Sequence, residues 1–535
     1  MKKIDILIVL VDLILVFLLY YFNLPPINLS SPDFWMFMFI ISIIVFLSIA
    51  LRNNKEMFLK KKFDTRILSI YKYYFITIIG FVLIFGIINF FYTPLFRAKE
   101  YSQRITVNEE NEFIEDVKQV DFSKIPLVDK FSSQKLGDRK MGEFTSWVSQ
   151  FYVSDLYTQI NYNNEIVRVT PIEYDGLIKY FTNKEEGVKG YIKVNSVNGS
   201  AELVELDKGM KYLPSAYFFE NLNRKLRLDY PTYIFDQESF EIDNEGNPYW
   251  VVPTIKYKGI GLKKEINGVV VLDAITGESK FFNAREVPSW IDHVYNPDLI
   301  IEQIDNWGEF RNGFLNSIFG QKDVINTTEG YNYLVMDDDV YLYTGITSVS
   351  SDESNLGFVL VNMRTKETNY YKVPGAEEYS AMASAEGLVQ EKDYEASFPL
   401  LINLNNKPTY LLSLKDDAGL VKMYAFIDVA DYQKVIVNDA SLGIEAAAEK
   451  YLGEKLDVNT DKEEKTIKIK SITNSVIDGN TYYYIVSDSN ELFSASIKVN
   501  KNLLPFIKIN DVVKIVYNKG TISNILSIEK EKTNE

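Results

Sequence analysis

The sequence predicts a membrane-anchored α+β protein with three N-terminal transmembrane helices, several antiparallel-sheet-plus-helix units and a small C-terminal β-barrel of OB or SH3 type. Three observations carry that reading. Three apolar runs crowd into the first 92 of 535 residues and no comparable run follows. A hairpin pattern recurs through the middle of the chain. Five short alternating runs close its end. The boundaries that follow are 1–92 for the anchor, 93–210 for a first α+β unit, 211–285 for a second and 286–375 for an aromatic helical segment with a third β unit. A fourth α+β unit takes 376–453 and the barrel takes 454–535.

The apolar runs are Ile4–Phe22, Phe34–Leu51 and Tyr73–Tyr92. Each is long enough, as a helix rising about 1.5 Å per residue, to cross a hydrocarbon core of about 30 Å. Lys2 and Lys3 precede the first run, and Arg52, Lys55, Lys60, Lys61, Lys62, Arg66 and Lys72 lie between the second and third. The Pro-rich loop between the first two carries no Lys or Arg. Basic loops stay in the cytoplasm, so the amino terminus is expected inside and residues 93–535 outside. Bulky Tyr20, Tyr21 and Phe22 give no small-residue cleavage site after the first run, which argues for a retained helix. Asp12 lies inside that helix. A carboxyl group there is costly and marks either function or a polar contact between helices; the plainer expectation is the contact, with Ser42, Thr77 or Asn89 as partners.

Cysteine is absent, so the exported body cannot be stapled by disulfides and must be held by its core. The chain carries 57 Lys and Arg against 73 Asp and Glu, and the excess of acid lies in the body. A net-acidic surface opposes nucleic acid and anionic lipid, whose binding needs cations.

The recurring pattern is an apolar β run ending in Asn or Asp, a short turn and a second run. It reads Gly190-YIKVNSVNGSAELVEL, Gly268-VVVLDAITGESKFF and Gly357-FVLVNMRTKETNYYKV, with a copy lacking the leading glycine at Met423-YAFIDVADYQKVIV. Asn198-Gly199 and Thr276-Gly277 suit tight hairpin turns. Ala216–Leu228 reads as an amphipathic helix before the second copy, followed by strands over Tyr233–Ile242 and Tyr249–Tyr257. Strands are likewise expected before copies three and four. The uneven spacing between copies excludes a tight solenoid.

Gly246-NPYWVV followed by Gly268-VVVLDAITGE resembles a PepSY-type module over about Ala216–Asn283. The resemblance implies a helix packed on an antiparallel sheet in a non-catalytic envelope domain that binds peptides or restrains peptidases. With LGDRKMG at Leu136–Gly142, TQINY at Thr158–Tyr162 and DDDVYLYTGITSV at Asp337–Val349, the whole chain resembles a group of membrane-anchored proteins of Gram-positive bacteria. That second resemblance implies no activity.

Toward the C-terminus, Thr466–Thr473, Thr481–Ser487, Glu491–Lys498, Val512–Tyr517 and Ile522–Ile528 alternate as five strands, the grammar of a small barrel. Tyr482, Tyr483, Tyr484 and Phe493 are a stacking face or, more simply, half core.

His293 is the only histidine, and no nucleophile elbow surrounds Ser289 four residues before it. A helix-surface or capping role is expected of it. Asp337 and Asp339 share a strand face and are the one weak metal candidate, in a cluster that lacks a calcium-loop pattern. No cofactor is expected. Trp290, Tyr295, Trp307 and Phe310 are the candidate ligand-binding residues if an aromatic groove exists; their helical spacing, continued by Phe314 and Ile318, fits a helical pair sealing cores. The resulting expectation is a non-enzymatic cell-envelope protein that binds or scaffolds a peptide, a protein or a wall polymer. The alternatives are a carboxylate-dependent hydrolase of wall or glycan and an assembly scaffold acting through Asp12.

Overall fold

A computed structural model describes residues 3–60, 65–336, 339–348, 354–453, 462–477, 480–518 and 522–530. The helices Lys3–Asn23, Pro32–Lys60 and Thr65–Tyr92 each contain a window apolar and long enough to cross a membrane: Ile6–Asn23, Pro32–Ala50 and Tyr71–Tyr92. Their apolar side chains point outward, as suits helices solvated by lipid. The chain divides into two compact units, Met1–Val437 and Asn438–Glu535.

Beyond the helices, the described residues of the first unit form four sheets of one plan. In each, a helix precedes two short strands that pair end to end along one long strand, and a hairpin continues from that strand's other side. The helices are Lys130–Gly142, Leu222–Asp229, Pro297–Phe310 and Glu378–Gly387. The long strands are Glu165–Tyr174, Pro248–Tyr257, Asp339–Ser348 and Lys407–Lys415. The hairpins are Val188–Asn195 with Ala201–Met210, Lys264–Asp273 with Ser279–Asn283, Ser354–Asn362 with Thr368–Tyr371, and Val421–Asp428 with Val435–Asp439. These hairpins cover the four copies read from the sequence.

The structure explains the residues that mark each copy. Asn195, Asp273, Asn362 and Asp428 end the first strand, and each side chain accepts hydrogen bonds from the backbone N–H groups two and three residues on. These are Asx turns, which close the loop without a special backbone conformation at its start. The leading glycine sits where the ladder register slips, by three residues at Val188/Gly190 and by one at Ile266/Gly268 and opposite Ile346/Thr347. A Cβ on Gly268 would lie 2.2 Å from the Phe282 carbonyl oxygen, and one on Gly357 2.1 Å from that of Tyr371. The strands approach too closely there for any side chain.

The helix expected over Ala216–Leu228 begins later. Phe218 has a positive φ of 55° and the Asn221 side chain caps the N–H of Arg224 at 3.2 Å, so the helix proper runs Leu222–Asp229.

Two further features tie this unit together. Residues 104–128 run along the third and fourth sheets before the first helix starts. Val107–Asn108 pairs in parallel with Thr368–Asn369, and Gln119 bridges to Asn403. The buried Arg104 guanidinium meets Glu302, Glu265 at 3.2 Å and the Lys264 carbonyl at 2.6 Å, linking the second sheet to the helix of the third. The apolar helices are fastened as well. Arg227 donates to the Leu24 carbonyl at 2.8 Å, Asn89 exchanges two 2.9 Å bonds with the Ile260 backbone, and Gly261 donates to the Ser30 carbonyl at 3.0 Å. All of these contacts come from the helix ends opposite residues 52–60 and 65–72.

Within the second unit, helix Ile444–Leu452 precedes a closed five-stranded barrel: Lys462–Ile477, Asn480–Ser487, Leu492–Ser496, Val512–Asn518 and Ser523–Lys530. Around the barrel the third strand pairs in parallel with the fifth, and the long first strand pairs with both the second and the fourth. Ile467, Ile469, Ile485, Phe493, Val513 and Ile515 fill it. Phe493 is thus core.

Candidate functional site

The candidate site is a cleft of about 290 Å³ where residues 116–126 pass between the edges of the third and fourth sheets. Its walls are the short strands Asn332–Met336 and Leu400–Leu404, each the outermost strand at its end of its sheet. Short strands end there because the long strand of each sheet is shared between two of them.

Segment 116–126 owes its place to polar pairing and a few buried apolar anchors. Val120 N–H donates to the Asn403 carbonyl at 2.9 Å, and Asn403 Nδ2 donates to the Val117 carbonyl at 2.7 Å. Gln119 Nε2 donates to Asn406 Oδ1 at 2.7 Å and its Oε1 accepts from Asn405 N–H at 3.0 Å. The segment thus touches the edge of the fourth sheet through one parallel bridge, Gln119 with Asn403, reinforced by side-chain amides. Phe113 packs edge-on to Tyr371 before it, and Phe122 packs edge-on to Phe426 within it.

Val117, Ile125, Leu334, Leu401 and Ile402 make the buried apolar floor of the cleft, with Met336 and Val120 half-buried beside them. Asp116, Lys118, Gln119, Asp121 and Lys124 form an exposed rim of both signs. Asp116 accepts from the Tyr371 hydroxyl at 3.1 Å, and burial together with this carboxylate pushes the phenol up. Asp121 caps the turn at Ser123 with bonds of 3.0 and 2.6 Å. The lining residues include no histidine, serine or cysteine. Both carboxylates thus hold local structure, and the arrangement suits recognition of a chain with an apolar face and a polar backbone.

The residues singled out in the sequence lie elsewhere. Trp307 and Phe310 are buried; Trp307 packs on Tyr370 and Phe310 on Tyr101 and Phe314. Trp290 lies against Tyr249 with ring centres 5.0 Å apart, and Tyr295 lies under the Lys366 ammonium at 5.5 Å. Asp12 accepts a 2.6 Å hydrogen bond from Ser48 of the second helix, a partner outside the three expected. Ser42 instead faces Tyr74, Thr77 bonds the Tyr73 carbonyl, and Asn89 is used in fastening the body. Asp337 lies outside the described residues. Asp339 is buried and held by Arg364 through two 2.7 Å bonds and by Asn362 at 2.7 Å, and among the described residues no cluster suited to a metal ion occurs.

His293 is a latch. Its Nε2 lies 2.7 Å from the Gln159 carbonyl, which can only accept, so Nε2 carries the proton. Neighbouring Asp292 accepts from Asn161 N–H at 2.7 Å while its own N–H donates to fully buried Glu241 at 2.9 Å. His293 and Asp292 thereby clip the linker after the second sheet onto Thr158–Tyr162 of the first. The His293 ring also meets Tyr333, beside the lining residue Leu334 on the wall strand, edge-on. Arg168 is buried nearby, donates to the Val128 carbonyl and is drawn down to about 10 by burial.

The cleft escaped the sequence because segment 116–126 has no strand periodicity of its own. The available signal is the dense run of side-chain amides, Gln119 with Asn403, Asn405 and Asn406, which only the pairing makes meaningful. No family model matches the chain, and no curated protein matches it in sequence.

Proposed function

We propose that this chain is a non-enzymatic cell-envelope protein that binds an extended peptide segment of a partner in the cleft between its third and fourth sheets. The observation that carries this reading is the chain's own behaviour at the site: Gln119 already forms a parallel bridge with Asn403 on the edge strand of the fourth sheet, with Val120 N–H bonded to the Asn403 carbonyl. Strand addition draws affinity from main-chain hydrogen bonds and specificity from alternate side chains. The apolar floor and mixed-charge rim supply the second ingredient.

Residues 1–92 anchor the protein, with the amino terminus in the cytoplasm and residues 93–535 outside. This is supported by the basic residues between the second and third apolar runs and by the fastening of the body at the opposite helix ends. The PepSY-type reading of the second unit is supported by its helix-then-sheet order and its Asp273 turn, and it implies a peptide-binding envelope role. The barrel is read as OB-type on its strand order and its parallel third and fifth strands.

The test uses the full chain in detergent micelles, panned against a library of short linear peptides. Peptides with alternating apolar residues are expected, with affinity lowered roughly tenfold or more by Val120→Arg while far-UV circular dichroism is unchanged. Selection of no peptide, or of peptides indifferent to Val120→Arg, overturns the proposal.

A further inference from the structure

An exposed apolar surface lies where the helix after the long strand of the first sheet meets the turn before the helix of the second. Helix Leu177–Asn183 exposes Ile178 at 78 % and Phe181 at 50 %, and the turn before helix Leu222–Asp229 exposes Phe218 at 47 % and Phe219 at 70 %. The Phe181 and Phe218 ring centres lie 5.8 Å apart, which makes the patch continuous. Contiguous apolar patches of this kind mark an interaction, whereas single exposed apolar residues do not. Beneath them the Tyr180 hydroxyl donates to Glu220 at 2.8 Å and to the Tyr217 carbonyl at 3.1 Å, so the polar groups turn inward and the hydrocarbon outward. Phe218 is held at a φ of 55°, a conformation that residues with a side chain rarely adopt and that tends to persist where function requires it.

The patch is tied to the end of the first apolar helix. Arg224 donates to the Phe218 carbonyl at 2.5 Å, and its guanidinium sits 4.0 Å over the ring of Tyr21. One helical turn on, Arg227 holds the Leu24 carbonyl. Tyrosine near the end of a spanning helix belongs at the headgroup level, and Arg224 places the Phe218 turn at the same level. The Lys184 ammonium lies 5.9 Å from the Phe181 ring, where it can reach headgroups while its stem stays apolar. Glu185 and Glu186 follow, in salt bridges with Lys184 and Lys189.

We propose that Ile178, Phe181, Phe218 and Phe219 insert into the headgroup–acyl boundary of the bilayer crossed by the three helices, giving the body a second, non-spanning membrane contact. The proposal rests on the anchor reading above. The contact is made by hydrocarbon and not by charge, which reconciles it with a body whose net acidity opposes broad adsorption to anionic lipid.

The natural chain has no cysteine, so single nitroxide labels can be placed directly. Full-length Phe219→Cys, Leu13→Cys and Asp417→Cys would be labelled and reconstituted in phosphatidylcholine–phosphatidylglycerol nanodiscs. Collision with oxygen, which partitions into lipid, is compared with collision with a water-soluble nickel chelate. Leu13 is 61 % exposed within the first apolar helix and Asp417 lies in an exposed turn of the fourth sheet. The label at 219 is expected to be shielded from nickel several-fold relative to that at 417, as the label at 13 is. Nickel access at 219 equal to that at 417, with 13 shielded, overturns the second contact alone. Free nickel access at 13 overturns the anchor reading and this proposal with it.

Discussion

At the scale of single residues, the marks that repeat along this chain are explained by close approach and by turn closure. Gly268 stands where its strand slips register and the Phe282 carbonyl would lie 2.2 Å from an added Cβ. Gly268→Ala is therefore expected to destabilise the protein by about 1–3 kcal/mol, the usual range for forcing atoms into a packed site. Gly142→Ala, at a helix end with no atom within 4 Å of the added Cβ, serves as the control and should be near neutral. Thermal melts of the two variants side by side decide it; equal melting temperatures would contradict the close-approach account. The fourth copy lacks the glycine although its ladder also slips, between Leu414 and Lys415, with Lys422 as the extra residue. Glycine is thus a response to crowding by the partner strand and not a requirement of the bulge itself.

At the scale of elements, helix Lys130–Gly142 shows how one residue serves two structures. Asp129 caps it by accepting from Ser132 N–H at 2.8 Å and also pairs with Lys415 on the long strand of the fourth sheet. Burial works to raise the Asp129 carboxyl, but the bonds from Lys415 and Ser132 outweigh it and hold the group below the ordinary carboxylate range. A folded-state value below the unfolded one means that the stabilisation is fully present above the unfolded pKa of about 3.9 and is lost as pH falls through the lower folded value. Asp129→Asn should accordingly lower the melting temperature at pH 6 and lose much less further stability than the natural protein on going to pH 3. Parallel losses in the two proteins would show that the pair contributes nothing to acid sensitivity. The opposite sign applies to Glu378, buried against Tyr343 and Asn355, whose carboxyl burial pushes up.

At the scale of the whole molecule, the arrangement turns on which end of the three apolar helices carries the body. Arg227, Asn89 and Gly261 fasten it to the Leu24–Ser30 loop and to the end of the third helix. Arg52, Lys55 and Lys60 of the second helix and Arg66 and Lys72 of the third lie at the other end. Protease added to intact, wall-stripped cells should digest residues 93–535 and spare the segment containing residues 52–72. Digestion only after lysis would reverse the orientation and remove the envelope reading.

The three apolar helices and the four hairpins were legible in the sequence because each depends on neighbours in the chain: a run of hydrocarbon, a strand period of two, an Asn or Asp two residues ahead of the N–H groups it caps. The five barrel strands were legible for the same reason. Their order around the barrel was not, because strand order is a matter of pairing between distant segments. Nor was the cleft, whose walls come from residues 116–126, 334–336 and 401–403 and whose strap acquires strand character only by hydrogen bonding to Asn403. The partner of Asp12 likewise waited on helix packing, since Ser48 competes with several hydroxyls and amides of similar chemistry. Local covalent neighbours determined the elements of this protein, and contacts between residues hundreds of positions apart decided where those elements leave an edge, a cleft or an apolar face open.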